Sequence, residues 1–206
     1  SKSTGNVVNP YDLVAKYGTD PVRFFLVGGL PSYEDGDYST KLFEELYTSK
    51  LVNGVGNLAA RTATMIEKYC AGAVPAKQPD RYDTPGFWRD FGAALDAFRF
   101  DESARVLDRY VTAINQSIDI EAPFKKAKEG VDVSPFMYQL AEALRHVGIA
   151  MLAYCPASAE KLLAQLSVAP ADVVLPRDQE WGMLEPGKAV VKGAILFPRL
   201  EAKPAA

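Results

Sequence analysis

Between about Thr40 and Tyr69 one pattern constrains the chain most. Leu51, Val55, Leu58, Thr62, Met65 and Tyr69 fall at steps of four and three, the period of one buried helical stripe. A helix of that length has no place in a sheet, and its stripe needs other helices to cover it. The remaining sequence supplies them. Thr84-Pro85 opens a helix that carries Trp88, Phe91, Leu95 and Phe98. A second runs from about Asp101 to Ile120, with Val106, Tyr110, Ala113, Ile114 and Ser117 inward, until Pro123 breaks it. Ser134-Pro135 starts a third over residues 134–155, and PASAEKLLAQL makes a short fourth. The expected fold is mainly α, an antiparallel helical bundle with short connections over residues 39–168.

Two flanks depart from this pattern. In residues 1–38, Asn9-Pro10 and Thr19-Asp20-Pro21 each start a short helix, with Gly18 and then Gly28, Gly29 and Pro31 as stops. The connector PSYEDGDYST follows, and Ser39 or Thr40 caps the long helix. In residues 169–206, Pro170, Pro176, Pro186 and Pro198 with Gly182, Gly187 and Gly193 forbid long helices. VVLP, AVVKG and AILFPRL read there as extended pieces laid on the bundle, with AKPAA as a tail.

Several function classes are disfavoured. The apolar runs VRFFLVGGL and VGIAMLAYC are too short to cross a bilayer, so no membrane span is expected. Cys70 and Cys155 are far apart, with no CxxC and no adjacent histidine, which predicts buried free thiols rather than a disulfide or a metal site. A net charge of −3 argues against indiscriminate coating of nucleic acid. It leaves room for a specific RNA contact through local basic pieces: Lys2, the KK of PFKKAKEG, Arg61, Arg105 and Arg109. No acid–base pair, no nucleophile with its base and no glycine-rich phosphate loop at full spacing is present. His146, the only histidine, lies in the helical run ALRHVGIA and reads as a hydrogen-bonded core residue, while Trp88 and Trp181 read as structural.

Two small groups can do chemistry. In SKS, residues 1–3, the Lys2 ammonium flanked by two hydroxyls can follow phosphate oxygens as their charge redistributes. Asn57 and Arg61 stand four apart on one helix face, with Asn53 one turn earlier, and both residue types can read unstacked bases of a single-stranded RNA loop.

The run SKSTGNVVNPYDLVAKYGTDPVRFFL resembles the region that begins inside the KMSKS signature of class I aminoacyl-tRNA synthetases, with Lys2 as the motif's second lysine. DGDYS at 35–39, LVNGVGNLAARTATMI, NQSIDIEAPF and LFPRLE together resemble the methionyl branch rather than the leucyl, isoleucyl, valyl or cysteinyl ones. The resemblance implies the KMSKS loop and a stem-contact segment in residues 1–38, the anticodon-binding bundle in 39–168 and a C-terminal piece in 169–206. It implies a cytoplasmic enzyme that activates methionine with ATP and Mg2+ and attaches it to methionine tRNA. Ser1, Lys2 and Ser3 would contact ATP, and Lys2 would stabilise its phosphates during catalysis. Asn57 and Arg61 would read the anticodon, and Phe124 stands where the family has a tryptophan that stacks on the first anticodon base. The nucleotide-binding fold, the methionine pocket and any zinc-bearing insertion would lie upstream, so the 206 residues are expected to hold no cofactor or metal and not to aminoacylate alone. Rival readings are a stand-alone RNA-binding helical module, a helical bundle that contacts proteins, and a fragment of another class I synthetase.

Overall fold

Small polar residues and prolines set the helix starts. In this computed structural model, which describes residues 8–200, α1 (Pro10–Tyr17) begins where the Asn9 side chain accepts from Tyr11 N at 3.0 Å. It stops at Gly18, whose φ of 86° no residue with a Cβ adopts easily. Helix α2 (Thr19–Phe24) runs into a π-helical turn, Phe25–Gly29. Ser39 caps α3 (Thr40–Leu46), accepting from Leu42 N at 3.1 Å. The expected Ser1, Lys2 and Ser3 site lies outside the described residues.

The long helical stretch forms with a change of winding. After α3 the chain passes through ten π-helical residues, Tyr47–Gly56, before α4 (Asn57–Tyr69) resumes ordinary winding. Leu51, Val55, Leu58 and Thr62 face inward, as the stripe requires. Ile66 is buried in place of Met65 and Tyr69, which are only partly covered, because α4 packs chiefly on α8.

Next come α5 (Thr84–Asp96), α6 (Phe100–Glu121), α7 (Pro123–Lys128), α8 (Ser134–Met151) and α9 (Pro156–Gln165). Two expected placements are corrected. Phe98 lies beyond the end of α5 with φ 58° and is 68% exposed, and Ala113 faces solvent while Val111 and Ile118 join the core. Helix α8 also ends four residues earlier than the expected Cys155. Helices α8 and α9 approach so closely that a Cβ on Gly148 would meet Leu162 and Leu163 at 2.8 Å. Of the two thiols, Cys155 is buried but Cys70 only half so.

Phe87 of α5 stacks on Tyr110 of α6 at 4.3 Å across the α5–α6 hairpin. Across the long helix and α6, Lys50 pairs with Asp108 at 2.7 Å, Asn57 with Asn115 and Arg61 with Asp119, each 58 positions apart. A constant offset of this kind means two parallel helices in fixed register.

Beyond α9 the chain forms no strands among the described residues. Two 3-10 turns, Pro170–Asp172 and Arg177–Gln179, and one antiparallel bridge, Ala73 with Ala189, are its regular features. The expected extended pieces are therefore mostly irregular coil. Buried Phe197 anchors the end of this coil beside Tyr47, whose hydroxyl donates to Pro198 O.

A buried charge cluster fastens the coil to α8. Glu142 Oε1 accepts from Gly182 N at 2.9 Å and Met183 N at 3.0 Å, and Oε2 from Leu184 N at 2.9 Å. Arg145 donates twice to Glu142 Oε1, at 3.0 and 2.7 Å, and reaches the carbonyls of Asp178 and Glu180 at 2.9 and 2.8 Å. Trp88 Nε1 donates to His146 Nδ1 at 3.0 Å. On the other side of the ring, His146 Nε2 faces Arg145 Nη2 at 3.1 Å and Glu142 Oε1 at 3.5 Å. Burial holds His146 below its ordinary pKa. His146 is thus the hydrogen-bonded core residue expected. Trp181 stacks on it at 5.8 Å and donates to Gln78 O at 2.8 Å, so the cluster also steadies the linker before α5.

This cluster sets an acid response. Burial alone would raise the Glu142 carboxyl, but hydrogen bonds from His146 and Arg145 and the guanidinium charge outweigh it and bring its pKa from 4.5 to about 2. A depressed carboxylate stabilises the fold fully above its unfolded pKa, and that contribution vanishes as pH falls through the folded one. About 3 kcal/mol should therefore be lost between roughly pH 4.5 and 2. Urea unfolding across that range should show a shallower acid loss in Glu142→Gln than in the native chain. Equal slopes would refute the assignment.

Candidate nucleic-acid interface

The parallel register of α4 and α6 places two polar rungs on the solvent side. In the first, Asn57 Nδ2 donates to Asn115 Oδ1 at 3.2 Å, while Asn115 Nδ2 is held by Gly54 O at 3.3 Å and Val111 O at 3.2 Å. One turn on, Arg61 Nη2 donates to Asp119 Oδ1 at 2.5 Å. The Arg61 and Asp119 side chains are 28% and 69% exposed, so water screens the pair and it contributes no more than about 1 kcal/mol. Both rungs orient their side chains without binding them tightly. Asn53 also faces solvent one turn earlier on the same helix.

The end of α6 adds an aromatic surface. Ala122, at φ 43°, breaks the helix, buried Pro123 starts α7, and Phe124 follows with 52% of its surface exposed. Glu121 fixes this corner by pairing with Lys126 and, at 3.0 Å, with Arg81 from the linker before α5. The Lys126 hydrogen bond, then that of Arg81, holds the Glu121 carboxyl below its usual range. Arg81 lies 5.0 Å over the Phe136 ring and its neighbour Tyr82 bonds Ser117 of α6 at 2.9 Å, so linker, α6 and α7 are locked together. Asn57 and Arg61 thus stand against the last turns of α6, and Phe124 follows just beyond that helix's end.

Asn115 and Asp119 are functional candidates that the sequence reading missed. Their signal was present, since they repeat the four-residue spacing of Asn57 and Arg61 within NQSIDIEAPF. Nothing local, however, says which helix faces which. Of the other basic residues, Arg105 is tied to Asp101 at 2.7 Å, and Arg109 is exposed. Among the described residues no helix is long and apolar enough to cross a membrane.

The family model for class I tRNA synthetases (M) matches residues 1–63. A methionine–tRNA ligase of Caldanaerobacter subterraneus subsp. tengcongensis is 32% identical over 214 residues, 98% of this chain and 33% of that protein. One from Streptomyces coelicolor is 33% identical over 227 residues, all of this chain and 42% of that protein. The chain is a methionyl-tRNA synthetase homologue. In three dimensions this homologue is similar to the Mycobacterium tuberculosis methionyl-tRNA synthetase in complex with methionyl-adenylate, with a TM-score of 0.83 and 27% identity over 97% of this chain and 41% of that one. The homologue spans about a third to two fifths of the length of the curated relatives it matches. These matches favour the methionyl branch over the leucyl, isoleucyl, valyl and cysteinyl alternatives.

Proposed function

We propose that the chain is the anticodon-reading and KMSKS-loop portion of a cytoplasmic enzyme that activates methionine with ATP and attaches it to methionine tRNA. The observation that carries this reading, in a synthetase homologue, is that two solvent-facing polar rungs join α4 to the last turns of α6 and an exposed aromatic ring follows just beyond that helix's end. Asn57 offers an amide to a base edge, Arg61 offers a planar fork of donors, and Phe124 offers a face on which a base can stack. Asn115 and Asp119 hold the two readers in position before RNA arrives. Residues 1–38 serve as the KMSKS loop and stem contact, 39–168 as the anticodon-binding bundle and 169–206 as its C-terminal support.

The methionyl-adenylate in the mycobacterial relative supports ATP as the activating substrate. Ser1, Lys2 and Ser3 are the residues assigned to its phosphates. Among the described residues no group of three or more His, Cys, Asp or Glu side chains could hold a metal ion. The methionine pocket belongs to the length that the relatives have beyond this span.

Binding of methionine tRNA to the full chain tests the proposal. Phe124→Ala should weaken it about 10-fold, within the roughly 1–3 kcal/mol of one stacked base. Phe124→Trp should bind at least as tightly as the native chain, because an indole offers a larger face. Changing the anticodon should cost the native chain affinity and cost Phe124→Ala less. Binding that ignores both the ring and the anticodon would defeat this reading.

A further inference from the structure

Helix α7 concentrates positive charge on an acidic protein. Its six residues, PFKKAK, include three lysines and no acid, while the whole chain carries a net charge of −3. Lys126 is turned to Glu121. Lys125 and Lys128 are exposed and, among the described residues, neither forms an ion pair. Glu129, the next residue along the chain, is exposed and pairs with neither.

Helical spacing puts the two open cations beside the exposed ring. Phe124 and Lys128 are four apart, and Lys125 and Lys128 three apart, so the three side chains share one face. Lys126 leaves that face to pin the helix at Glu121, which keeps the face directed outward. The result is an aromatic platform rimmed by two unneutralised ammonium groups. A solvated lysine face alone would not place its free cations around the one exposed ring of the helix.

We infer that Lys125 and Lys128 grip backbone phosphates of the RNA loop whose base stacks on Phe124, an inference that rests on the anticodon reading above. A stacked base leaves its phosphodiester linkage at the rim of the ring, within reach of a flexible lysine stem. Lysine acts there as a point charge that follows a mobile backbone without demanding one geometry. Asn57 and Arg61 then discriminate sequence, and the α7 lysines supply affinity that is blind to it. This added electrostatic grip suits a site whose platform is a phenyl ring.

Salt dependence separates the two contributions. Each phosphate neutralised on a single strand adds about 0.7 to the slope of log affinity against log salt. Between 50 and 200 mM salt, the double variant Lys125→Gln/Lys128→Gln of the full chain should bind methionine tRNA with a slope shallower by about 1.4. Its loss at low salt should be equal for tRNAs with native and altered anticodons. Lys188→Gln, an exposed lysine on the C-terminal coil, should leave the slope unchanged. All three side chains are exposed, and circular dichroism should show native helix content in each variant. An unchanged slope in the double variant overturns the phosphate grip even if the native chain still discriminates anticodons. A shallower slope in the double variant, with no anticodon discrimination by the native chain, upholds the grip and overturns the reading beneath it.

Discussion

Glu142→Ala is expected to cost about 3–5 kcal/mol of stability, the cost of leaving a buried charge without its partner. The Glu142 and Arg145 side chains are 0% and 2% exposed, and the carboxylate accepts from three consecutive backbone N–H groups of the C-terminal coil as well as from Arg145. Removing it leaves the guanidinium with only the Asp178 carboxylate, 3.8 Å away, and orphans the amides of Gly182, Met183 and Leu184. Urea unfolding gives the free energy, and for a chain of this size the melting temperature should fall by roughly 10 °C. A second variant separates charge from packing. Glu142→Leu with Arg145→Met removes both charges, and it should recover part of the loss because Asp178 keeps its pair with Arg177 at 2.7 Å. A loss below about 1 kcal/mol in Glu142→Ala would show that water reaches the cluster, contrary to the structure.

Arg61→Ala should weaken binding of methionine tRNA about 10- to 100-fold, corresponding to the roughly 1–3 kcal/mol of a good base contact. Most of that effect should disappear when the tRNA carries an altered anticodon, because the lost contact is already absent. Asn57→Ala should behave in the same way. Stability should change by less than about 1 kcal/mol in Arg61→Ala, since the partner it abandons, Asp119, is 69% exposed and is readily hydrated. Binding across native and altered anticodons, set out as a thermodynamic cycle, measures the coupling. An equal loss for every anticodon would make Arg61 a phosphate contact instead of a base reader.

The contrast between these two predictions follows how each site is encoded. The four-residue spacing of Asn57 and Arg61 marks a polar face opposite a buried stripe within one helix, and only the resemblance makes that face a reader of bases. Phe124 was legible only through the resemblance, since a residue after a proline packs inward as often as not, and its 52% exposure comes from the Ala122 turn and the Glu121 corner. Asn115 and Asp119 needed the register of two helices. Glu142 and Arg145 were not legible at all, because in AEALRH they look like the polar side of an amphipathic helix.

By itself, then, the sequence determined the helix starts at Asn9, Ser39 and the proline-led positions, the mainly helical fold and the polar face of α4. All of these depend on residues within a turn or two of each other. Tertiary structure alone decided the ten-residue π-helical stretch, the rungs joining residues 58 positions apart, the orientation of α7, and the buried cluster linking α8 to carbonyls 33 and 35 positions away. Each of these depends on which partner surface is nearby when the chain closes, and hydrogen-bonding capacity alone leaves that choice open. An aspartate on α6 and a glutamate on α8 have the same chemistry, but solvent at one and a covering coil at the other make the first an exchangeable partner for Arg61 and the second a fastening of the fold.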